Sequence, residues 1–228
     1  MVWMTVFHFC FDLQHFGYFK ADFYTDPVWT LQRSAIVSLF LFCAGISQAV
    51  AVQQGQTWPR FWKRWRLIAF CAALVTVGSY LMYPGSFIYF GVLHGIALML
   101  VIVRLTAGWG RWLWLLGCLP WLLYWAAPYI HAAWAGLDFL NLPLFNWLGL
   151  VSRKPVTEDY VPLAPWLGVM WWGVAAGTWV LKHRISWFQG QLITGGRPLA
   201  VLARWSLSYY MLHQPVLIGL LLLAGLLR

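Results

Sequence analysis

The sequence FHFCFDLQHFG, residues 7–17, is an apolar, aromatic run that carries three ionisable side chains. His8, Asp12 and His15 are spaced i, i+4 and i+7, and on a helix such positions share one face. An ionisable group is costly to hold inside a hydrophobic span, so this face predicts a functional site. Two alternatives stay open: a hydrogen-bonded His8–Asp12 pair that only fixes helix packing, and a metal site. No fourth ligand is evident for a structural zinc ion, so we expect no metal.

The composition of the whole chain is typical of an integral membrane protein. Of its 228 residues, 62% are hydrophobic and 9% are charged, and the mean hydropathy is +0.69. Soluble domains carry about 25% charged residues. In a soluble protein the net charge of +9 would indicate a nucleic-acid partner, but the positive-inside rule explains it here. We therefore expect one integral membrane domain over residues 1–228, with a lipid bilayer and no nucleic acid as partner.

The hydrophobic runs predict an all-α, polytopic transmembrane bundle of about seven spans. The first span is short, because the residues before Asp12 cover roughly 16 Å, about half of a bilayer core. We expect this span to be truncated. Residues 132–165 form the longest irregular stretch, and their apolar middle, 139–151, predicts an interfacial or re-entrant segment. The predicted spans lie at about residues 1–16, 29–52, 67–82, 87–105, 112–131, 166–181 and 206–227.

The segments between these spans differ in charge. Residues 53–66, 104–111 and 182–204 hold ten Lys and Arg, against five on the opposite side, where all six acidic residues fall. By the positive-inside rule the first group is cytoplasmic, which predicts a multi-pass protein with a cytoplasmic N-terminus. The face from His8 to His15 then lies toward the outer half of its span.

Three further polar side chains lie in or beside the predicted spans: Arg33, His94 and His213. Arg33 is unfavourable near a helix start and is expected to need a carboxylate partner, as an ion pair or as part of a site. His94 either forms an interhelical hydrogen bond or takes part in catalysis. His213 either satisfies carbonyls freed by Pro215 or contributes to the site. By depth, Arg33 and His94 could converge with the first-span cluster on one outward-opening cavity.

The basic segment 53–66 interleaves Arg60, Lys63 and Arg64 with tryptophans. One explanation is positive-inside charge that lies on anionic lipid. The alternative is a phosphate clamp for a cytoplasmic, nucleotide-like donor. Arg197, which follows two glycines, is a weaker signal of the same kind, because the turn lacks the Lys and Ser/Thr of a phosphate-binding loop.

Five segments follow one another in order along nearly the whole chain: FHFCFDL (7–13), FLFCAGIS (40–47) after Arg33, FGVLHGI (90–96), PLAPWLG (162–168) and LSYYMLHQPV (207–216). Together they resemble the membrane acetyltransferase family named for heparan-alpha-glucosaminide N-acetyltransferase, and look most like its compact bacterial members. Two departures stand out. The Arg-Gly motif that the family carries upstream of the His8 position is absent, and Ala21 stands where lysosomal members have a histidine.

This resemblance implies a transmembrane acyltransferase. Such a protein takes an acetyl group from cytoplasmic acetyl-CoA and delivers it to an amino or hydroxyl group of a sugar or glycan, here on the periplasmic side of a bacterial inner membrane. A histidine acts as base or as acyl carrier. The site residues expected on this basis are His8, Asp12 and His94 for catalysis, Arg33, His15 and His213 for the acceptor, and Arg60, Lys63, Arg64 and Arg197 for CoA.

Two other function classes stay open on the sequence alone. A small proton-coupled transporter would use the same buried groups as a relay, although the inverted repeats typical of such proteins are not evident. A non-catalytic membrane scaffold would need none of them. A homo-oligomer is compatible with each class.

Overall fold

The structure, a computed structural model, describes residues 1–188 and 196–226. The predicted all-α class is confirmed. The long apolar runs form helices, and short 3₁₀ turns occur in the segments between them. The helices are α1 (Val2–His15), α2 (Pro27–Gln53), α3 (Trp58–Met82), α4 (Val92–Thr106), α5 (Trp112–Ala133), α6 (Leu163–His183), α7 (Arg197–Arg204) and α8 (Ser206–Leu226).

Within the described residues, five helices are long and apolar enough to cross a membrane. They are α2, α3, α4 with the 3₁₀ turn that follows it, α5, and residues Ser206–Gly225 of α8. With α1 and α6, two further apolar helices, they match the prediction of about seven spans. Helix α1 has 14 residues and covers about 21 Å, less than the roughly 30 Å of a bilayer core.

The basic segment before the third span is helical, whereas the sequence pattern suggests a loop. Helix α3 begins at Trp58 because Thr57 adopts an extended conformation and Pro59 falls in the first turn, where a missing N–H leaves no bond unmade. Arg60, Lys63 and Arg64 are therefore spaced i, i+3 and i+4 on one helical face.

Helix α4 begins at Val92, later than the hydropathy predicts. The apolar residues before it are held in an extended segment, where the backbone N–H of Ile88 donates to Ser79 Oγ at 2.9 Å. An isolated parallel bridge pairs Phe90 with Tyr160. Apolar character alone does not separate such a partly buried extended segment from a helix.

The apolar stretch predicted as interfacial or re-entrant contains short helical turns. Two 3₁₀ helices, Ala135–Asn141 and Asn146–Leu148, occupy it. Asn146 is buried, and its side-chain amide donates to the Tyr89 hydroxyl at 2.6 Å. Burial raises the pKa of the Tyr160 phenol, which donates a 2.6 Å hydrogen bond to the Asn146 carbonyl.

By internal contacts the chain divides into two compact units. The first comprises residues 1–37 with the described part of 190–228, and the second comprises the described part of 38–189. One domain over residues 1–228 stays a prediction. In the first unit, Phe7 of α1 packs edge-to-face on Phe23 at 5.5 Å between ring centroids, and Phe23 lies 4.1 Å from Trp29 of α2. Helices α1 and α8 are also joined by Thr5 and Tyr209, whose hydroxyl oxygens lie 2.5 Å apart.

The second unit is built on close helix packing through glycines. A Cβ on Gly168 of α6 would lie 2.2 Å from the Gly117 carbonyl oxygen of α5, and a Cβ on Gly45 of α2 would lie 2.3 Å from the Met170 carbonyl oxygen of α6. Small residues allow such backbone approach, which is how helices associate in lipid. The core of this unit includes Leu41, Met99, Val103, Leu113, Val161, Met170 and Val174, each almost completely buried.

Candidate active site

The polar face of α1 meets α8 through one glutamine. Asp12 is 3% exposed, and its Oδ1 accepts a 2.6 Å hydrogen bond from Gln214 Nε2. Gln214 Oε1 lies 2.8 Å from His8 Nδ1. His8 and Asp12, one helical turn apart, are thus joined through a residue about 200 positions later in the chain.

His213, the neighbour of that glutamine, faces the same cluster. Its ring centroid lies 5.0 Å from that of His8, and the side chain is 8% exposed. Its Nδ1 is 2.6 Å from the Tyr210 carbonyl oxygen, so the proton sits on Nδ1 and Nε2 carries a lone pair. Pro215 lacks the N–H that would bond the Met211 carbonyl, so this contact to Tyr210 does not involve the carbonyl that His213 is expected to satisfy.

Two buried acceptor atoms in this cluster have no hydrogen-bond partner among the described residues: Asp12 Oδ2 and His213 Nε2. An oxygen of an ionised carboxylate can only accept a hydrogen bond, and so can Nε2 of a neutral imidazole that carries its proton on Nδ1. A buried unsatisfied acceptor costs roughly 1–3 kcal/mol, so this one location carries a polar deficit that a ligand with N–H or O–H groups could relieve.

Arg33 and His15 are less closely tied to the cluster. Arg33, in α2, is half-buried and forms no ion pair with any carboxylate of the described chain. His15 ends α1, is exposed, and its ring packs on Phe16 at 5.5 Å between centroids. The carboxylate partner that Arg33 is expected to need is thus missing from the described contacts.

The loop after α1 is closed by Asp22. Its carboxylate accepts hydrogen bonds from the backbone N–H groups of Tyr24 and Thr25, at 2.9 and 3.0 Å, and from the Thr25 hydroxyl. The Thr25 hydroxyl and these N–H groups hold the pKa of Asp22 below its usual value. The aspartate therefore fixes the turn that leads into α2.

His94 lies in the second unit, in the first turn of α4. Its Nδ1 accepts a 3.3 Å hydrogen bond from the backbone N–H of Gly91, and its Nε2 lies 3.0 Å from the Thr76 hydroxyl. That hydroxyl donates to the Ile88 carbonyl at 2.8 Å, so Nε2–H must be the donor to Thr76. Both ring nitrogens of His94 are engaged in holding the start of the helix.

The predicted phosphate clamp borders a surface cavity of about 360 Å³ in the second unit. Arg60, Lys63 and Arg64 are exposed and line it together with Ala51, Gln54 and Gln56. Arg197 is the first residue of α7, and its side chain lies outside the described part of the structure. The described residues contain no group of three or more His, Cys, Asp or Glu side chains arranged to hold a metal ion.

The family model described as heparan-alpha-glucosaminide N-acetyltransferase, catalytic, matches residues 1–215. The chain belongs to this family. No curated protein and no solved structure matches it. The resemblance of the quoted segments is therefore confirmed at the level of the family. Membership of the heparan-alpha-glucosaminide N-acetyltransferase family, together with the apolar helices, indicates membrane acetyltransferase activity.

Two residues that the sequence does not single out lie in the His8–Asp12 cluster and beside the basic cavity: Gln214 and Arg104. The sequence gives no signal for Gln214 beyond its place next to His213. Arg104, at the end of α4, stacks over the rings of Trp58 and Phe61, 5.2 and 5.8 Å from the centroids, and donates to the Gln56 carbonyl. A cation and interleaved aromatics were the available signal, but only packing brings Arg104 onto α3.

Proposed function

We propose that this protein transfers an acetyl group from cytoplasmic acetyl-CoA to an amino or hydroxyl group of a sugar or glycan on the periplasmic side of a bacterial inner membrane. The observation that carries the proposal is the His8–Gln214–Asp12 arrangement. It holds one imidazole in a partly buried site beside a carboxylate. The excess of Lys and Arg in alternate segments supports the orientation, with a cytoplasmic N-terminus.

His8 serves as the base of this reaction. Its imidazole takes the proton of the acceptor's amino or hydroxyl group while that group attacks the thioester carbonyl. The C–S bond then breaks, and the imidazolium returns the proton to the departing thiolate, so acceptor and thiol leave neutral. Alternatively, His8 carries the acetyl group. A ring nitrogen attacks the thioester carbonyl, the C–S bond breaks, and the thiolate takes the proton that the acetylated ring gives up from its other nitrogen. The acceptor's amino or hydroxyl group then attacks the acetyl carbonyl, the bond from that carbonyl to the ring nitrogen breaks, and the acceptor's proton returns to the imidazole.

The other polar groups support this chemistry. Asp12, held by Gln214, favours a positive charge on the neighbouring imidazole. Arg33, a half-buried cation without an ion pair among the described residues, stabilises the developing oxyanion. Asp12 Oδ2 and His213 Nε2, both buried acceptors, receive hydrogen bonds from the acceptor sugar, and His15 stays assigned to it on the resemblance alone. His94, which the sequence assigns to catalysis, lies in the second unit with both ring nitrogens engaged, so we give it no step in this reaction and expect a structural role.

Acetyl-CoA fits the cavity beside α3 on its charge. Arg60, Lys63 and Arg64 present three cations to one opening, and phosphates are bound by such clusters. The buried Nη1 of Arg104 and Oε1 of Gln56 have no hydrogen-bond partner among the described residues, which leaves a donor and an acceptor in the same region of the second unit. Arg197 is kept as a further phosphate contact.

The test is acetyl transfer from labelled acetyl-CoA to glucosamine in membranes that contain the full chain. His8→Ala should lower the rate by on the order of 10²-fold or more. His183→Ala is the matched control, because His183 is exposed and, among the described residues, its ring is hydrogen-bonded within its own helix, at the Trp179 carbonyl. Equal rates for wild type and His8→Ala would remove His8 from the mechanism. Gradient-driven uptake without CoA binding would favour a transporter, and a stable chain inert in both assays would favour a scaffold.

A further inference from the structure

Gln214 lies between His8 and Asp12 and is hydrogen-bonded to both. It is the one residue that touches both His8 and Asp12 among the described hydrogen bonds. An amide offers two unlike ends, an oxygen that only accepts and an NH₂ that only donates. We propose that Gln214 is a positioning residue that fixes His8 as the Nδ1–H tautomer and so leaves Nε2 as the reacting nitrogen; this rests on the proposed function.

The direction of the two hydrogen bonds follows from Asp12. An ionised carboxylate can only accept, so the group 2.6 Å from Oδ1 must be the NH₂ of Gln214. The amide oxygen then points the other way, toward His8. The reverse orientation would set two oxygens 2.6 Å apart with no proton between them when Asp12 is ionised.

The amide oxygen in turn determines the proton on His8. Gln214 Oε1 lies 2.8 Å from Nδ1 and can only accept, so Nδ1 must carry the hydrogen. In a neutral imidazole the other nitrogen then holds the lone pair. The partner of one ring nitrogen therefore sets which of the two nitrogens is free to react. Here that partner, at Nδ1, is the Gln214 amide, and the direction of the amide is set by the Asp12 carboxylate.

The neighbouring histidine shows the same arrangement with a different partner. His213 Nδ1 donates to the Tyr210 carbonyl at 2.6 Å, and its Nε2 has no hydrogen-bond partner among the described residues. Both rings, 5.0 Å apart between centroids, are therefore held as Nδ1–H tautomers. The tautomer of His213 is fixed by a backbone carbonyl, which substitution cannot remove. The tautomer of His8 is fixed by the Gln214 side chain, so it can be changed by substitution.

Three substitutions separate the two ends of the amide. Gln214→Met keeps an unbranched side chain and removes both hydrogen bonds. Gln214→Lys keeps a donor for Asp12 and removes the acceptor for His8. Gln214→Glu keeps an acceptor for His8 and removes the donor for Asp12. The tautomer of His8 is read by ¹⁵N NMR of histidine-labelled full-length protein in nanodiscs, with the His8 signals assigned by their loss in His8→Asn.

The wild type should show a protonated Nδ1 at His8. Gln214→Met and Gln214→Lys should shift the proton toward Nε2, and Gln214→Glu should retain it on Nδ1. In the transfer assay, Met and Lys should lower kcat by on the order of 10²–10⁴-fold with the KM for acetyl-CoA unchanged, and Glu should recover part of that loss. A purely structural glutamine would lower the folded fraction without moving the tautomer.

The spectra do not depend on turnover, so two failures can be told apart. A protonated Nε2 at His8 in the wild type, or a tautomer that is unchanged in Gln214→Lys, overturns the inference whatever the activity. The expected spectra together with full activity of His8→Ala would uphold Gln214 as the residue that sets the tautomer and would instead remove His8 from the proposed reaction.

Discussion

Asp159 Oδ2 accepts a 2.7 Å hydrogen bond from the backbone N–H of Val92, the first residue of α4. The first N–H groups of a helix have no partner within it, and a carboxylate there satisfies one of them and also interacts favourably with the helix dipole. The residue that caps α4 therefore comes from the segment just before α6.

Replacing this carboxylate should weaken the second unit. Asp159→Ala is expected to lower the free energy of unfolding by about 0.5–2 kcal/mol, the usual cost of losing an N-terminal cap. The measurement is thermal unfolding in detergent, followed by tryptophan fluorescence. Asp138→Ala is the matched control, since 75% of that side chain is exposed and its Oδ1 lies 3.8 Å from His131 Nδ1, beyond hydrogen-bond distance. An equal effect of both substitutions would contradict a capping role.

His94 should behave as a structural residue. His94→Ala removes the acceptor for Gly91 N–H and the donor to Thr76, and a typical buried hydrogen bond contributes about 0.5–1.5 kcal/mol. In a double-mutant cycle with Thr76→Val, the two effects should be less than additive because they share one bond. Activity per folded molecule should stay within about threefold of wild type. A loss on the order of 10²-fold at full folding would instead support the catalytic role assigned from sequence.

Much of the fold follows from the sequence because the bilayer restricts the possible structures. Hydropathy predicts the helical class and about seven spans, since backbone polar groups in lipid must be paired within a helix. The helix starts were less predictable. Apolar residues before Val92 continue the hydrophobic run, but Ser79 and Tyr160 hold them extended. Long-range contacts of this kind leave no periodic signal in the sequence.

The candidate site, like the fold, can be predicted only in part from the sequence. The i, i+4 spacing of His8 and Asp12 predicts one shared face, because that rule operates within a helix. Their link through Gln214 depends on how α8 packs against α1, which spacing cannot supply. Charge predicts that Arg33 needs a carboxylate partner but not where that partner lies. The described contacts contain no such ion pair.

Glycines in the second unit should differ sharply in their tolerance of a methyl group. Gly45→Ala would bring a Cβ to 2.3 Å from the Met170 carbonyl oxygen, and overpacking of this kind costs about 1–3 kcal/mol. Gly78→Ala is the matched control: apart from its chain neighbours and its own helix backbone, no described atom would lie within 4 Å of a Cβ there, and alanine is favoured over glycine in a helix by about 0.5–1 kcal/mol. Thermal unfolding should therefore shift down for the first variant and not for the second; a downward shift of equal size would contradict the packing.

The Asp22 turn should open at low pH. Its folded pKa is depressed, so the carboxylate stabilises the turn above its unfolded pKa, and this stabilisation is lost as pH falls through the folded value. The protection factors of the Tyr24 and Thr25 amides, which compare the exchange rate with its intrinsic value at the same pH, should therefore fall over that range. In Asp22→Ala these protection factors should be low at every pH, and equal protection in both proteins would show that the carboxylate does not hold the turn.

The basic face of α3 should govern the apparent affinity for acetyl-CoA, if the proposed function holds. Replacing Arg60, Lys63 and Arg64 together by Gln should raise the KM for acetyl-CoA by about tenfold or more with kcat little changed. A hydrogen bond to a charged group contributes about 1.5–3 kcal/mol, and salt reduces that contribution for exposed charges. The wild-type KM should also rise with ionic strength. Arg66→Gln is the control, being exposed on the same helix but outside the cavity lining. If Arg66→Gln raised KM as much as the triple variant, general surface charge rather than this cavity would bind the donor.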